Sequence, residues 1–113
     1  MKAIYPVLKE KKRYILLKIH SEENFNFSTI SSELKKGFKE FLGEFEMSKA
    51  GIILLRETWN SKSKTFIVRV GIKHVDALKS AIMFIKTIKN KPVIISSVKT
   101  SGKLNKLKDF QKR

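Results

Sequence analysis

The chain has 113 residues, 42% of them hydrophobic and none of them cysteine. That is enough for one buried core, and it excludes disulfides, thiolate nucleophiles and cysteine-ligated metal sites. Its 25 Lys and Arg against 10 Asp and Glu give a net charge of +15, a self-repelling balance most simply understood if a polyanion neutralises it. No apolar run approaches the roughly 20 residues that a membrane-spanning helix needs. The first such run, residues 3–8, is broken by Pro6 and followed by charge, so no signal peptide or membrane association is expected. With no cysteine, these features point to a reducing, cytoplasmic compartment.

In chain order, a basic arm over residues 1–12 leads into a strand at residues 13–19, where Ile15, Leu17 and Ile19 alternate with Tyr14, Leu16 and Lys18. An acidic loop follows. Ser28 or Thr29 is placed to cap a helix, and Ile30, Leu34, Phe38, Phe41, Leu42 and Phe45 recur at helical spacing to about residue 46. Gly37, inside that helix, costs it about 1 kcal/mol against alanine. Residues 51–59 read as a second strand, whose aliphatic run Ile52–Leu55 predicts burial on both faces. Residues 60–64 make a hairpin loop. A third strand at residues 65–70 turns Phe66, Val68 and Val70 inward and Thr65, Ile67 and Arg69 outward.

A second helix is expected over about residues 73–88, with Val75, Leu78, Ile82, Ile85 and Ile88 along its stripe and Asn90 and Pro92 stopping it. Residues 92–98 are the fourth strand. In the basic C-terminal segment, residues 100–113, Leu104, Leu107 and Phe110 lie between lysines as in a short amphipathic helix. The order βαββαβ, without repeats or linkers, describes a single α+β domain over residues 1–113. It favours a ferredoxin-like (RRM-like) sandwich, with a four-stranded antiparallel sheet, two helices on one face and a basic tail helix.

In that topology the fourth strand flanks the first and ends where the first begins. The charge distribution makes this pairing matter. Residues 1–13 carry Lys2, Lys9, Lys11, Lys12 and Arg13 against Glu10, and residues 86–113 carry nine Lys and Arg against Asp109 alone. Lys11, Lys12, Arg13, Lys99, Lys103, Lys106 and Lys108 are therefore the candidate RNA-binding set. An RRM would need aromatic side chains on the outward face of the central strands to stack unpaired bases. The positions there are Tyr14, Leu16, Thr65, Ile67 and Arg69, so phosphate contact with a structured RNA fits better than base stacking.

Leu16 and Ile67 would leave an apolar patch on that face. Leu104, Leu107 and Phe110 of the tail either fold over it or join it as an interface to another protein. No catalytic or metal-binding constellation is present. His20 and His74 lack any metal-ligand spacing, and the glutamates lie in a loop and along a helix surface.

With these elements in place, the chain resembles the Pop-five family of small ribonuclease P subunits found in archaea and eukaryotes. The resemblance is carried by Lys12-Arg13-Tyr14-Ile15, residues 51–56, Phe66-Ile67-Val68-Arg69-Val70, residues 75–82, and Ser101-Gly102-Lys103-Leu104. Lys103 departs from the small hydroxylated residue that the family pattern places after Ser-Gly. The resemblance implies a non-catalytic protein that assists an RNA in removing 5′ leaders from precursor tRNA. The chemistry would belong to that RNA and its Mg²⁺, with no cofactor bound by the protein. The implied partners are the RNA, precursor tRNA, and other protein subunits, especially a thirty-kilodalton TIM-barrel-like one, with a homodimer inside a heterotetramer. A ribosomal or other structured-RNA-binding module, or a small-molecule regulatory domain of the same shape, remains as an alternative.

Overall fold

A computed structural model describes residues 11–112; the arm at residues 1–10 and Arg113 lie outside the described residues. The elements are β1 (Lys12–His20), α1 (Phe27–Ala50), β2 (Ile53–Asn60), β3 (Thr65–Gly71), a 3-10 turn (Ile72–His74), α2 (Val75–Phe84), β4 (Thr87–Ile88), β5 (Lys91–Pro92), β6 (Ile94–Ser101) and α3 (Leu104–Gln111). The main sheet runs β2-β3-β1-β6, and its three pairings are antiparallel. This is the expected ferredoxin-like sandwich.

Period-2 alternation builds the central strands. Ile15, Leu17 and Ile19 of β1 and Phe66, Val68 and Val70 of β3 face the helical layer, where they meet Ile30, Leu34, Phe38, Leu78 and Ile82. Phe27, Trp59 and Phe66 close one end of this core, with ring centroids 5.5 to 6.1 Å apart. Trp59 reaches that side because β2 is irregular between Leu55 and Asn60. In an unbroken strand it would face away from Leu54; the bulge reverses the parity. Buried Thr58 stabilises the bulge, its hydroxyl donating to the Leu55 carbonyl at 2.7 Å and accepting from the Ile67 amide at 2.8 Å. Ile53 of β2 is exposed, so the aliphatic run is not buried on both faces: β2 is an edge strand.

Three local expectations are corrected. Asn26, rather than Ser28 or Thr29, caps α1, its side-chain oxygen accepting from the Thr29 amide at 2.8 Å. The stripe expected to run unbroken to about residue 46 is interrupted at Gly43 (φ 83°, ψ 162°). Gly37 serves close packing, since a Cβ there would lie 2.8 Å from the Ile85 side chain. Finally, α2 ends at Phe84, because Ile85 turns extended to fill the space Gly37 leaves. A small β4–β5 hairpin follows, with Lys89 and Asn90 both at positive φ in its turn. Ile88 is still buried, from a strand.

Candidate nucleic-acid interface

The β1–β6 register sets Tyr14 opposite Ser101 and Leu16 opposite Lys99, so the start of the first strand meets the root of the tail. Arg13 lies against Gly102: its Nη1 is 3.1 Å from where a Cβ on that glycine would sit, and it donates to the Lys12 carbonyl at 3.2 Å. Any larger residue at 102 would push the guanidinium aside. Lys12 points the other way across the end of the sheet, its Nζ 3.4 Å from the Cβ position of Gly51 ahead of β2. Gly51 and Gly102 thus flank a basic, low-relief sheet end. A planar guanidinium there can take a phosphate bidentately.

The tail carries the rest of the candidate set. The Lys103 amide bonds to the Ser101 hydroxyl at 3.0 Å, and its side chain is exposed at the N-cap of α3, making no capping bond. This is the position where the family pattern has a hydroxylated residue, the type that caps a helix; here a cation stands in its place. Lys99 lies over the Phe110 ring, 4.9 Å from its centroid. Lys106 is exposed and Lys11 is exposed before β1. Lys108 does not join them. It lines a concavity with Glu57, Lys62 and Gln111 beside the β2–β3 turn, toward the other end of α3. Of the expected patch, the contacts join Arg13 to the root of the tail at Gly102 and Lys99 to Phe110 of the tail, while Lys103 and Lys106 are exposed on that tail.

The five residues offered as a partner interface pack within the chain. Leu16, Ile67 and Leu107 form one buried cluster, each 2% exposed or less, and Tyr14, Leu55, Leu104 and Phe110 pack around it. Gln111 fastens the far end of α3, its side-chain amide donating to the Thr58 carbonyl at 2.7 Å and the Thr65 hydroxyl at 3.0 Å. Of the two readings open in the sequence, tail over sheet is the one observed. It removes the outer sheet face as a surface for stacking bases.

Arg69 was not singled out as a site residue. On the same outer face it pairs with Tyr14 and Ile53, and its Nε is buried with no hydrogen-bond partner among the described residues. The sequence signal was its position: an arginine facing outward on a central strand otherwise lined with apolar side chains. His20 bonds Ser96 at 3.0 Å and His74 lies 3.5 Å from Glu46, far apart in role and fold. Among the described residues no cluster of His, Cys, Asp or Glu could hold a metal.

This arrangement has relatives. The model of the Rpp14/Pop5 family matches residues 13–112. The chain belongs to that family. It is 32% identical over 108 residues to ribonuclease P protein component 2 of Methanocaldococcus jannaschii, covering 96% of this chain and 78% of that protein. It is 30% identical to the component 2 of Pyrococcus abyssi, covering 96% and 90%. A chain in the cryo-electron microscopy structure of yeast ribonuclease MRP shares the fold, with a TM-score of 0.66 at 16% identity over 99% of this chain and 95% of that one.

Proposed function

We propose that the chain is an RNA-binding protein subunit of ribonuclease P, assisting the catalytic RNA in removing 5′ leaders from precursor tRNA. The observation that carries this reading is the meeting of Arg13 with the root of the basic tail at Gly102, in a chain that belongs to the Rpp14/Pop5 family. Cations fixed on strand ends neutralise phosphates at smaller entropic cost than mobile ones. Their charge lets a folded RNA hold its active shape with fewer counterions. Hydrolysis in this reading belongs to Mg²⁺ held by the RNA, and the protein partner is the thirty-kilodalton subunit of the same enzyme.

The test is reconstituted cleavage of precursor tRNA over a Mg²⁺ titration, with and without the chain. Its addition should lower the Mg²⁺ needed for half-maximal cleavage. Binding of the chain to the RNA should weaken with salt at a log–log slope of about −4 or steeper. An unchanged Mg²⁺ requirement together with a flat salt response would break the reading.

A further inference from the structure

The β2–β3 end of the sheet carries an aromatic side chain that the core only partly covers. Trp59 is the chain's only tryptophan. The bulge in β2 turns it toward Phe27 and Phe66, yet it stays half-buried. With half-buried Phe25 and the core residues Ile19 and Ile30, it lines a cavity of about 240 Å³. Asn24, Ser61 and Lys64 add polar groups to the same lining. An unpaired nucleobase uses such walls, stacking by its face on aromatic rings and hydrogen-bonding by its edge. No residue of α3 lines the cavity, so the tail helix over the outer sheet face does not close it.

A second concavity shares Trp59 and Ser61 with the first, and its charge is positive. Lys62, Lys108 and Lys112 line it against Glu57; Asp109, on the same helix, does not. None of the three lysines has a carboxylate within ion-pair distance among the described residues. Glu23 lines the aromatic cavity, but its carboxylate faces Lys91 at 3.9 Å. Lys64 ties that loop down, donating to the Ser21 and Glu23 carbonyls at 2.7 and 3.3 Å.

The walls are also preformed. The Asn60 side chain accepts from the Lys62 and Ser63 amides at 3.0 and 3.2 Å. Lys64 sits at φ 57°, a conformation uncommon outside glycine. Gln111 anchors the end of α3 that carries Lys108 and Lys112. A ligand seated here would not first have to order the turn.

We infer that this end of the molecule captures one unpaired nucleotide of an RNA, its base against Trp59 and Phe25 and its flanking phosphates on Lys62, Lys108 and Lys112. The site lies at the far end of α3 from Arg13 and Gly102. It is therefore a second contact, and one that distinguishes a single strand from a duplex. The inference goes beyond the ribonuclease P reading and shares with it only that the ligand is RNA.

Trp59 reports on its own site. The full chain is titrated with an unstructured RNA hexamer while tryptophan emission is followed, and then with an abasic hexamer that keeps the phosphates. The complete hexamer should quench the emission saturably, and the abasic one should bind at least tenfold more weakly without quenching. Lys112→Glu should weaken hexamer binding at least fivefold at unchanged melting temperature, whereas Arg13→Glu should change it less than twofold. Trp59→Leu, followed by anisotropy of a labelled hexamer, should also weaken binding at least fivefold. Should that variant fail to fold, Lys112→Glu carries the test, because Lys112 is exposed. Equal affinity for the two hexamers overturns the proposal by leaving charge alone, as does a larger loss in Arg13→Glu than in Lys112→Glu. Absence of quenching while the ribonuclease P RNA still binds overturns the proposal alone. Quenching by the hexamer without binding of that RNA sinks the ribonuclease P reading and leaves the nucleotide site standing.

Discussion

On the outer sheet face, Leu16, Ile67 and Leu107 bury one another beneath the tail helix, whereas outside the helical layer Phe41, Phe45, Met83 and Phe84 stand open to solvent. Both surfaces come from amphipathic stripes of the same kind, so hydrophobic pattern alone does not distinguish them. Their polar surroundings do. The sealed face is latched by Gln111 and the Thr58 bulge and rimmed by lysines. The helices of the open face are electrically balanced, and no element among the described residues covers it. A fold that closes one apolar face with a basic helix turns that face into the anchor of a charged surface, while the apolar side chains on the other side stay open.

The largest effect expected from this contrast is at Leu107. Its side chain is fully buried, and Leu→Ala at such a site removes transfer energy and leaves a cavity, costing about 3 kcal/mol. Thermal melting by circular dichroism should register a drop of roughly ten degrees or more for a domain of this size. A melting temperature that does not move would mean the tail is detached in solution and the outer face open.

Charge reversal at the sheet end comes next. Arg13→Glu should weaken RNA binding about tenfold, close to 1.4 kcal/mol, with little change in melting temperature. Lys35→Glu on exposed α1 should cost about twofold or less, because it sits in the balanced layer. Equal losses in a filter-binding titration would leave only net charge and no patch.

How much of this was readable beforehand varies by element. The strand order and the Arg13–Gly102 meeting followed from alternation and topology, because a right-handed βαβ crossover leaves few arrangements. The end of α2 was hidden. Ile85 and Ile88 continue a helical spacing while being buried from a hairpin, and the cause lies at Gly37 on another helix. The bulge that turns Trp59 inward has no local marker beyond Thr58. Lys108 was grouped with Arg13 because sequence places both near basic ends, but α3 crosses the sheet and carries Lys108 to the β2–β3 turn. Whether Leu104, Leu107 and Phe110 met the sheet or another protein could not be read, since a stripe records that a face is buried and not by what.

Lys103 offers a smaller and two-sided effect. It occupies the N-cap of α3 without capping it. Lys103→Thr should raise stability by about 0.5–1 kcal/mol and, by removing one cation, flatten the salt dependence of RNA binding by about one phosphate's worth. A variant that is both more stable and an unchanged binder would take Lys103 out of the interface.

The smallest effect is expected on the open face, and it sharpens the contrast most. Met83 and Leu107 are unbranched-at-Cβ hydrophobic residues on helices flanking the same sheet, yet Met83 is 75% exposed and Leu107 is fully buried. Met83→Ser removes apolar surface that folding does not bury, so stability should change by no more than about 0.5 kcal/mol, as exposed substitutions do. Serine's slightly poorer helix propensity accounts for most of that. The chain should also become less prone to self-association on concentration, since an exposed apolar surface has shrunk. Chemical denaturation of Met83→Ser beside Leu107→Ala reads the difference directly through their midpoints, provided both keep the parent slope. A loss at Met83 approaching that at Leu107 would show that the helical face is covered in solution by something already present in the pure protein. The two faces of the molecule would then be closed alike.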